Sequence, residues 1–325
     1  MSERQTSPGI RRTLVGLFVV FLAAISAGIY GCDSGSTESG AASSTWVITT
    51  GHIGDALARI TDGTDIELKV FCGPGVDPHS FSASTADVQA MVDAEAIFYN
   101  GFHLEAKLHD LLHGDFVDKA FAMSAAFPTD ARLDWVEDGE IDPEAPFDPH
   151  IWNHLPGWSK CIEGLVERAC EIAPDHADDF RANGQKYIDE IMAAHQSATE
   201  RFAAIPEQQR VIVSAHDAFN YFAQVYGFES KAVLGIGNDA EADVKTMREV
   251  AEFVSERKVP VIFLESITNP KVTEALQEAC EARDWSVKIA EEPLYSDDLG
   301  SEPPQDTYLG AFESNVDLIV RSLQP

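Results

Sequence analysis

The tripeptide Asp-Pro-His occurs twice, as Asp77-Pro78-His79 and as Asp148-Pro149-His150. Proline fixes its own φ and drives the residue before it into an extended conformation, so the histidine that follows is held on stiff backbone. Stiff presentation suits a metal ligand, which must meet a set bond length and direction. Each copy follows a turn containing Pro or Gly and runs into aromatic or apolar residues, Phe81 in one case and Ile151-Trp152 in the other. Two further residues of the right type follow apolar runs: His216 in Ser214-Ala215-His216-Asp217, and Asp297 in Leu294-Tyr295-Ser296-Asp297-Asp298. Three imidazoles and one carboxylate make a donor set for zinc or manganese. Their intervals of 71, 66 and 81 residues carry no local signature of the HExxH kind. Residue types alone therefore leave a metal site and scattered structural histidines both open.

Short apolar strands alternate with helical patterns along most of the chain. Strands are expected at 46–50, 66–71, 96–99, 211–214, 229–234, 261–264 and 286–290, with helices at 53–60, 85–92, 103–112, 158–171, 217–226, 244–257, 271–283 and 308–323. Two such series imply two α/β lobes with mostly parallel sheets flanked by helices. Between them, Ala177, Phe180, Gly184, Ile188, Ile191, His195, Ala198, Phe202 and Ile205 recur every three or four residues. That is one apolar face over roughly 30 residues, or about 45 Å of helix. Two shorter helices broken near Gly184 are the alternative, but a single internal glycine costs only about 1 kcal/mol. The expected layout is a first lobe at 46–173, one long rigid linker helix at 174–205 and a second lobe at 206–325. Ligands of parallel α/β sheets bind beyond the carboxyl ends of the strands. His79, His216 and Asp297 each follow a strand, and His150 opens the last helix of the first lobe, so two candidates come from each lobe to a shared cleft.

The N-terminus indicates where the chain works. Arg11 and Arg12 precede an apolar run at 14–25, too short for an ordinary membrane span of about 20 residues. The layout is that of a secretory signal, and Ile29-Tyr30-Gly31-Cys32 looks like a bacterial lipobox, with cleavage before Cys32 and a lipid on its sulfur. An uncleaved signal anchor is the alternative. Residues 1–31 are thus read as signal peptide, and the Ser/Gly/Thr/Ala-rich stretch at 32–45 as a flexible tether. The protein is expected outside the cytoplasm, lipid-anchored to a membrane. Formal net charge is −31; residues 1–31 hold one acid and three bases, so the remainder carries 53 acids against 20 bases. Such a surface repels nucleic acid and concentrates cations, although an adaptation for solubility or salt explains most of it. Cys72, Cys161, Cys170 and Cys280 remain, with no CxxC pair, so a thiolate zinc site or redox motif is not expected.

Taken together, Gly73-Pro74-Gly75-Val76-Asp77-Pro78-His79, Phe98-Tyr99-Asn100-Gly101, Asp148-Pro149-His150-Ile151-Trp152, the stretch 214–221, Glu265-Ser266-Ile267-Thr268-Asn269-Pro270-Lys271 and the stretch 294–300 resemble, in order, the motifs of the metal-binding solute-binding proteins of zinc/manganese (cluster A-I) ABC importers. The likeness covers about residues 46–323. It implies two α/β lobes joined by one long helix, a monomer that holds one divalent ion in the cleft, and delivery to an ABC permease. Carried over residue by residue, it makes His79, His150, His216 and Asp297 the ligands. Asn153-His154 departs from the Leu/Phe-Asp-Pro often found there, which leaves the local helix start open. Members tuned to manganese often have Glu at the position of His216, and zinc-dedicated members often have a His-rich loop before the second ligand. Here 124–149 holds eight acids and no histidine. The chain thus most resembles the manganese/zinc/iron branch, with Zn2+ or Mn2+ as cargo and Fe2+ open.

Other residues carry less. Glu265 ends a strand and is a candidate outer partner of a ligating histidine. His109 and His113, four apart, are an accessory grip or a solvated face. His103 and Glu105 are read as structural, His52 as facing the cleft, and His154, His176 and His195 as surface or helix-packing residues. A zinc hydrolase would need an open coordination position and a nearby general base. No carboxylate neighbours a candidate in a zincin-like motif, so an enzyme is not expected. A surface adhesin lipoprotein of the same fold would need no metal site.

Overall fold

The computed structural model describes residues 44–324 apart from 138–139, 142, 144 and 238–242. Cys32 and the signal segment lie outside the described residues. The first lobe is built on β1 (Thr45–Thr50), β2 (Glu67–Cys72), β3 (Ala96–Tyr99) and β4 (Ala120–Ala122), a parallel sheet of order β2-β1-β3-β4. β1 and β3 are the central strands and are almost wholly buried, as apolar runs covered on both faces must be. α1 (Gly51–Ile60) and α2 (Thr85–Asp93) connect them, the second opened by a reciprocal Ser84–Asp87 capping box. β4 was not expected, because its three residues are too few to show a period. A small antiparallel hairpin, β5 (Val136–Glu137) and β6 (Glu140–Ile141), was likewise unexpected.

The helix expected at 103–112 is replaced by a 3-10 turn, Ala106–Leu108, and a π-helical turn, Leu111–Asp115. α3 (Leu155–Ile172) closes the lobe. His150 does not open it directly. A 3-10 turn, Ile151–Asn153, intervenes, and the His154 side chain caps α3 by accepting from Gly157 N–H at 2.9 Å. The unusual Asn153-His154 pair thus supplies its own helix start.

A 3-10 turn, Pro174–His176, leads into α4 (Ala177–Phe202), 26 residues or about 39 Å of unbroken helix. Gly184 is no break: a Cβ there would stand 2.2 Å from Val166 Cγ2, so the glycine lets α3 approach.

The second lobe carries β7 (Val211–Ser214), α5 (Asn220–Tyr226), β8 (Glu229–Ala232), α6 (Val244–Arg257), β9 (Val261–Glu265), α7 (Pro270–Glu281), β10 (Lys288–Leu294) and α8 (Tyr308–Leu323). β7 pairs with β8 and β9 with β10, both parallel, and β7 lies against β9. α5 starts three residues later than its pattern suggests, for a reason given below. One apolar core runs from Trp46 and Phe98 through Trp158, Phe180 and Phe202 to Phe222, Phe263 and Phe312. The two lobes therefore share a core along α4. Cys72, Cys161, Cys170 and Cys280 are free and buried.

Candidate metal centre

The two Asp-Pro-His segments fold alike. Asp77 Oδ1 accepts from the His79 backbone N–H, and Asp148 Oδ1 from that of His150, each at 2.9 Å. Aspartate bonding two residues on is an Asx turn, and proline between the two stiffens it. His216 is set differently. The Ala215 and His216 N–H groups both donate to Glu265 Oε1, at 2.8 and 2.9 Å, from the end of β9. Beyond them, Asp217 N–H donates to Gly235 O and Ala218 N–H to His216 O, each at 3.1 Å, a bent stretch that delays α5 to Asn220. Asp297 follows β10 directly.

These four side chains meet. One donor atom from each of His79, His150, His216 and Asp297 lies within 4.8 Å of the others. The Nε2 atoms of His79 and His150 are 3.3 Å apart. Asp297 Oδ2 stands 3.3 Å from His79 Nε2 and 3.1 Å from His216 Nε2, while Oδ1 is 3.5 Å from His150 Nε2. Both carboxylate oxygens thus face imidazoles. Exposure is 7% at His79, 0% at His150 and His216, and 1% at Asp297.

Outer contacts orient the rings. His150 Nδ1 is 2.7 Å from Asp148 Oδ1, and His216 Nδ1 lies against Glu265 Oε2. A carboxylate on Nδ1 fixes the proton there and leaves the Nε2 lone pair for the centre. Asp148 is itself held by Asn220 Nδ2 at 3.1 Å, and its carbonyl accepts from Tyr221 O–H at 3.1 Å. Glu265 was legible as the carboxylate at the end of a strand. Asp148, Asn220 and Tyr221 were quoted within motifs but given no part. The signal for Asp148 was present, since an Asp two residues before a histidine can reach its ring as well as its backbone.

The carboxylates and imidazoles of the cluster shift one another's affinity for protons. Burial pushes the Asp297 carboxyl up, but His216 and His150 outweigh it and hold it well below the usual range. Burial lowers His216, yet Glu265 and Asp297 carry it well above an ordinary imidazole. His150 is raised too, with burial opposed by Asp297 and Asp148. A buried cluster that holds protons between carboxylates can exchange them for a cation.

The family described as zinc-uptake complex component A, periplasmic (ZnuA) matches residues 47–322. The chain belongs to this family. The zinc-binding protein TroA of Treponema pallidum is 37% identical over 294 residues, covering 89% of this chain and 92% of TroA. The manganese-binding lipoprotein MntA of Bacillus subtilis is 32% identical over 277 residues, covering 85% of this chain and 88% of MntA. Among solved structures, the periplasmic zinc-binding protein TroA from T. pallidum is similar with a TM-score of 0.80 at 35% identity, over 87% of this chain and 100% of that one. Fe(III)-bound YtgA from Chlamydia trachomatis is similar with a TM-score of 0.76 at 25% identity, over 86% and 98%. The two-lobe α/β fold is therefore that of the ZnuA family, whose members are uptake components and not enzymes.

The remaining sequence candidates fall elsewhere. His52 is buried with its ring stacked on Trp152 at 4.7 Å, a packing residue that burial carries down to a pKa of about 4. Glu105 is buried and accepts from Thr49 Oγ1 at 2.6 Å and Asn100 N–H at 2.7 Å, a structural pin as expected. His103, His109 and His113 gather on the surface of the first lobe, away from the centre. Sequence reading also missed the contacts that join the lobes around the centre. Trp152 Nε1 donates to Ser296 O at 2.7 Å, and Asn153 Nδ2 donates to Ala218 O at 2.9 Å. Gly75 N–H donates to Asp298 Oδ2 at 2.7 Å.

Proposed function

We propose that this chain is the extracytoplasmic solute-binding component of a divalent-metal ABC importer. In this reading one zinc or manganese ion sits between His79, His150, His216 and Asp297 and is carried to the cognate permease. One observation carries it: one donor atom from each of the four residues lies within 4.8 Å of the others, and the closest contacts among them are 3.1–3.5 Å. A tetrahedron with bonds of 2.0–2.1 Å has edges of about 3.3 Å, so the closest contacts already stand at ligand spacing and the wider ones need only side-chain adjustment to close on an ion. Glu265 and Asp148 are the outer partners that keep His216 and His150 in the ligating tautomer. Residues 46–173 and 206–325 act as the two jaws and 174–205 as the strut between them. Cys32 carries the lipid that anchors a monomer to the membrane.

With three imidazoles, zinc binds more tightly than manganese, although the supply outside the cell decides which is carried. Protein taken from its native envelope should hold one tightly bound ion by elemental analysis, and Asp297→Ala with His216→Ala should lose it. Metal-free native protein that also fails to gain thermal stability on adding Zn2+ or Mn2+ would sink this reading. Detergent partitioning of wild type against Cys32→Ser tests the anchor separately.

A further inference from the structure

A second group of three histidines lies on the surface of the first lobe. Gly101, Phe102 and His103 have φ of 85°, 51° and 65° in succession. A left-handed non-glycine residue costs about 1–2 kcal/mol, and two together persist only where the surroundings enforce them. Here the enforcement is visible. Both Glu105 oxygens accept backbone N–H groups, from Asn100 at 2.7 Å and Gly101 at 3.2 Å, while Asn100 Nδ2 donates to Pro149 O at 2.8 Å. A Cβ on Gly101 would stand 2.1 Å from Ser124 Oγ, so the tight passage requires glycine. The turn brings the His103 ring to within 5.4 Å of the His109 ring, centroid to centroid.

The π-helical turn Leu111–Asp115 completes the group. It closes with Phe116 N–H donating to Leu111 O at 2.9 Å. Residues four apart along a helical turn lie on one face. His113 accordingly stacks on His109 at 4.2 Å. In the buried centre the histidine rings lie 5.3, 5.4 and 6.2 Å apart, so the His103–His109 spacing matches, and His113 must unstack from His109 and turn inward to join them. His109 and His113 are exposed, and exposed side chains rotate freely. His113 Nδ1 lies 3.1 Å from His109 O, where its N–H donates. That leaves the lone pair on Nε2, now 3.4 Å from Tyr99 O–H. Spending one ring nitrogen on a protein acceptor is the same device that prepares His150 and His216. The three rings border a cavity of about 250 Å³, whose far wall is Pro146-Phe147, directly before Asp148-Pro149-His150.

We propose that His103, His109 and His113 form a second, weaker site for zinc or a cation of similar softness, beside the loop that carries His150. An all-imidazole donor set selects zinc over hard ions, because Mn2+, Mg2+ and Ca2+ prefer oxygen. The acidic surface gathers cations of every kind near the protein, and this cluster retains the borderline ones.

The test uses Zn2+ titrated by calorimetry in the presence of excess Mg2+ and Ca2+, which occupy nonspecific carboxylates. Wild type should take two equivalents, one tight and one weaker. His109→Ala/His113→Ala should lose the weaker equivalent alone, with an unchanged melting temperature. His103→Asn, which tolerates the left-handed backbone, should weaken it at least tenfold. Asp297→Ala/His216→Ala should keep the weaker equivalent while losing the tight one, so the two sites fail separately. A second equivalent that survives in the His109/His113 variant, or that Mn2+ fills as readily as Zn2+, would mark an adventitious ion on the acidic surface and overturn the proposal. Absence of any second equivalent in wild type would overturn it as well.

Discussion

His79 and His150 arrive on the same tripeptide with the same Asx turn, yet only one is clamped. Asp148 holds the backbone of His150 and also its ring, and Asp148 is in turn tied to Asn220 and Tyr221 of the second lobe. Asp77 holds only the His79 backbone. His150 is wholly buried, while His79 is the most exposed of the four, at 7%. The tripeptide therefore solves half of the problem, presentation of the backbone. Orientation of the ring needs a carboxylate with a second free direction and a lobe behind it. In the proposed site this makes His150 a fixed ligand and His79 the one that lets an ion in or out.

The largest effect should separate these two. His150→Ala removes a ligand and leaves Asp148 buried without its ring partner. It should lower Zn2+ affinity by more than the roughly 10–100-fold typical of outer partners. His79→Ala leaves three fixed donors and a side open to water, so its loss should be smaller and should appear mainly as faster release. Equal losses in competition titrations, with equal release rates by stopped flow, would break the comparison.

The two aspartates should differ next. Asp148→Ala is expected to cost about 10–100-fold in affinity, because it frees the His150 ring as well as a backbone donor. Asp77→Ala loses one backbone hydrogen bond worth about 1 kcal/mol, or roughly fivefold. A ratio near one would mean that the Asp148–His150 ring contact does not prepare the ligand.

Acidity offers a third contrast. His150 and His216 both have raised pKa values in the ion-free protein, despite burial, because of carboxylates around them. A raised histidine stabilises the ion-free fold fully below its unfolded value of about 6.5, and that contribution is lost as pH rises through the folded value. The ion must displace the same protons, so its affinity rises with pH over the same range, by about tenfold per unit for each proton displaced. Both trends widen the melting-temperature gap between Zn2+-loaded and chelated protein as pH climbs from 6.5. A gap that stays constant or narrows would contradict the proton–metal exchange.

Much of this arrangement was legible beforehand, and the reason is physical. Parallel strands such as β3 and β7 are short apolar runs that announce themselves, and residues just past them must lie at one edge of the sheet. That logic placed His79, His216 and Asp297 at a common edge, while the ligand set itself came from the resemblance to the importer family. β4 was invisible because Ala-Phe-Ala is strand only by pairing with β3. The pattern at 103–112 read as a helix because periodicity says nothing of the positive φ at Phe102 and His103, which Asn100 and Glu105 impose while themselves held by Pro149 and Thr49, distant in sequence. The late start of α5 was equally hidden, since Asp217 N–H is drawn to Gly235 O, 18 residues on. What the sequence lacks is the direction of side chains across the lobes.

The smallest effect concerns the arm that carries His79. If His79 is the ligand that yields, something other than a ring clamp must hold its loop in place. Asp298 is placed to do so. Its carboxylate accepts from Gly75 N–H at 2.7 Å, on the turn that precedes His79, and from Ser266 Oγ in the second lobe. It thus latches the first-lobe arm to the strand ends that carry Glu265 and Asp297. Asp298→Ala should leave Gly75 without its acceptor and Zn2+ equilibrium affinity little changed, while speeding release by about fivefold, the kinetic equivalent of one hydrogen bond of about 1 kcal/mol. Asp298→Asn retains an amide oxygen for Gly75 and removes the charge beside Asp297. Its release rate should stay near wild type if the latch is the hydrogen bond, and should follow the alanine variant if the charge is what matters. Release of Zn2+ to a chromogenic chelator, measured for both variants beside Asp148→Ala, places the latch on the same scale as the clamp. Should Asp298→Ala release no faster than wild type, the His79 arm must be held by its own turn, and the asymmetry between the two Asp-Pro-His copies would reside in Asp148 alone.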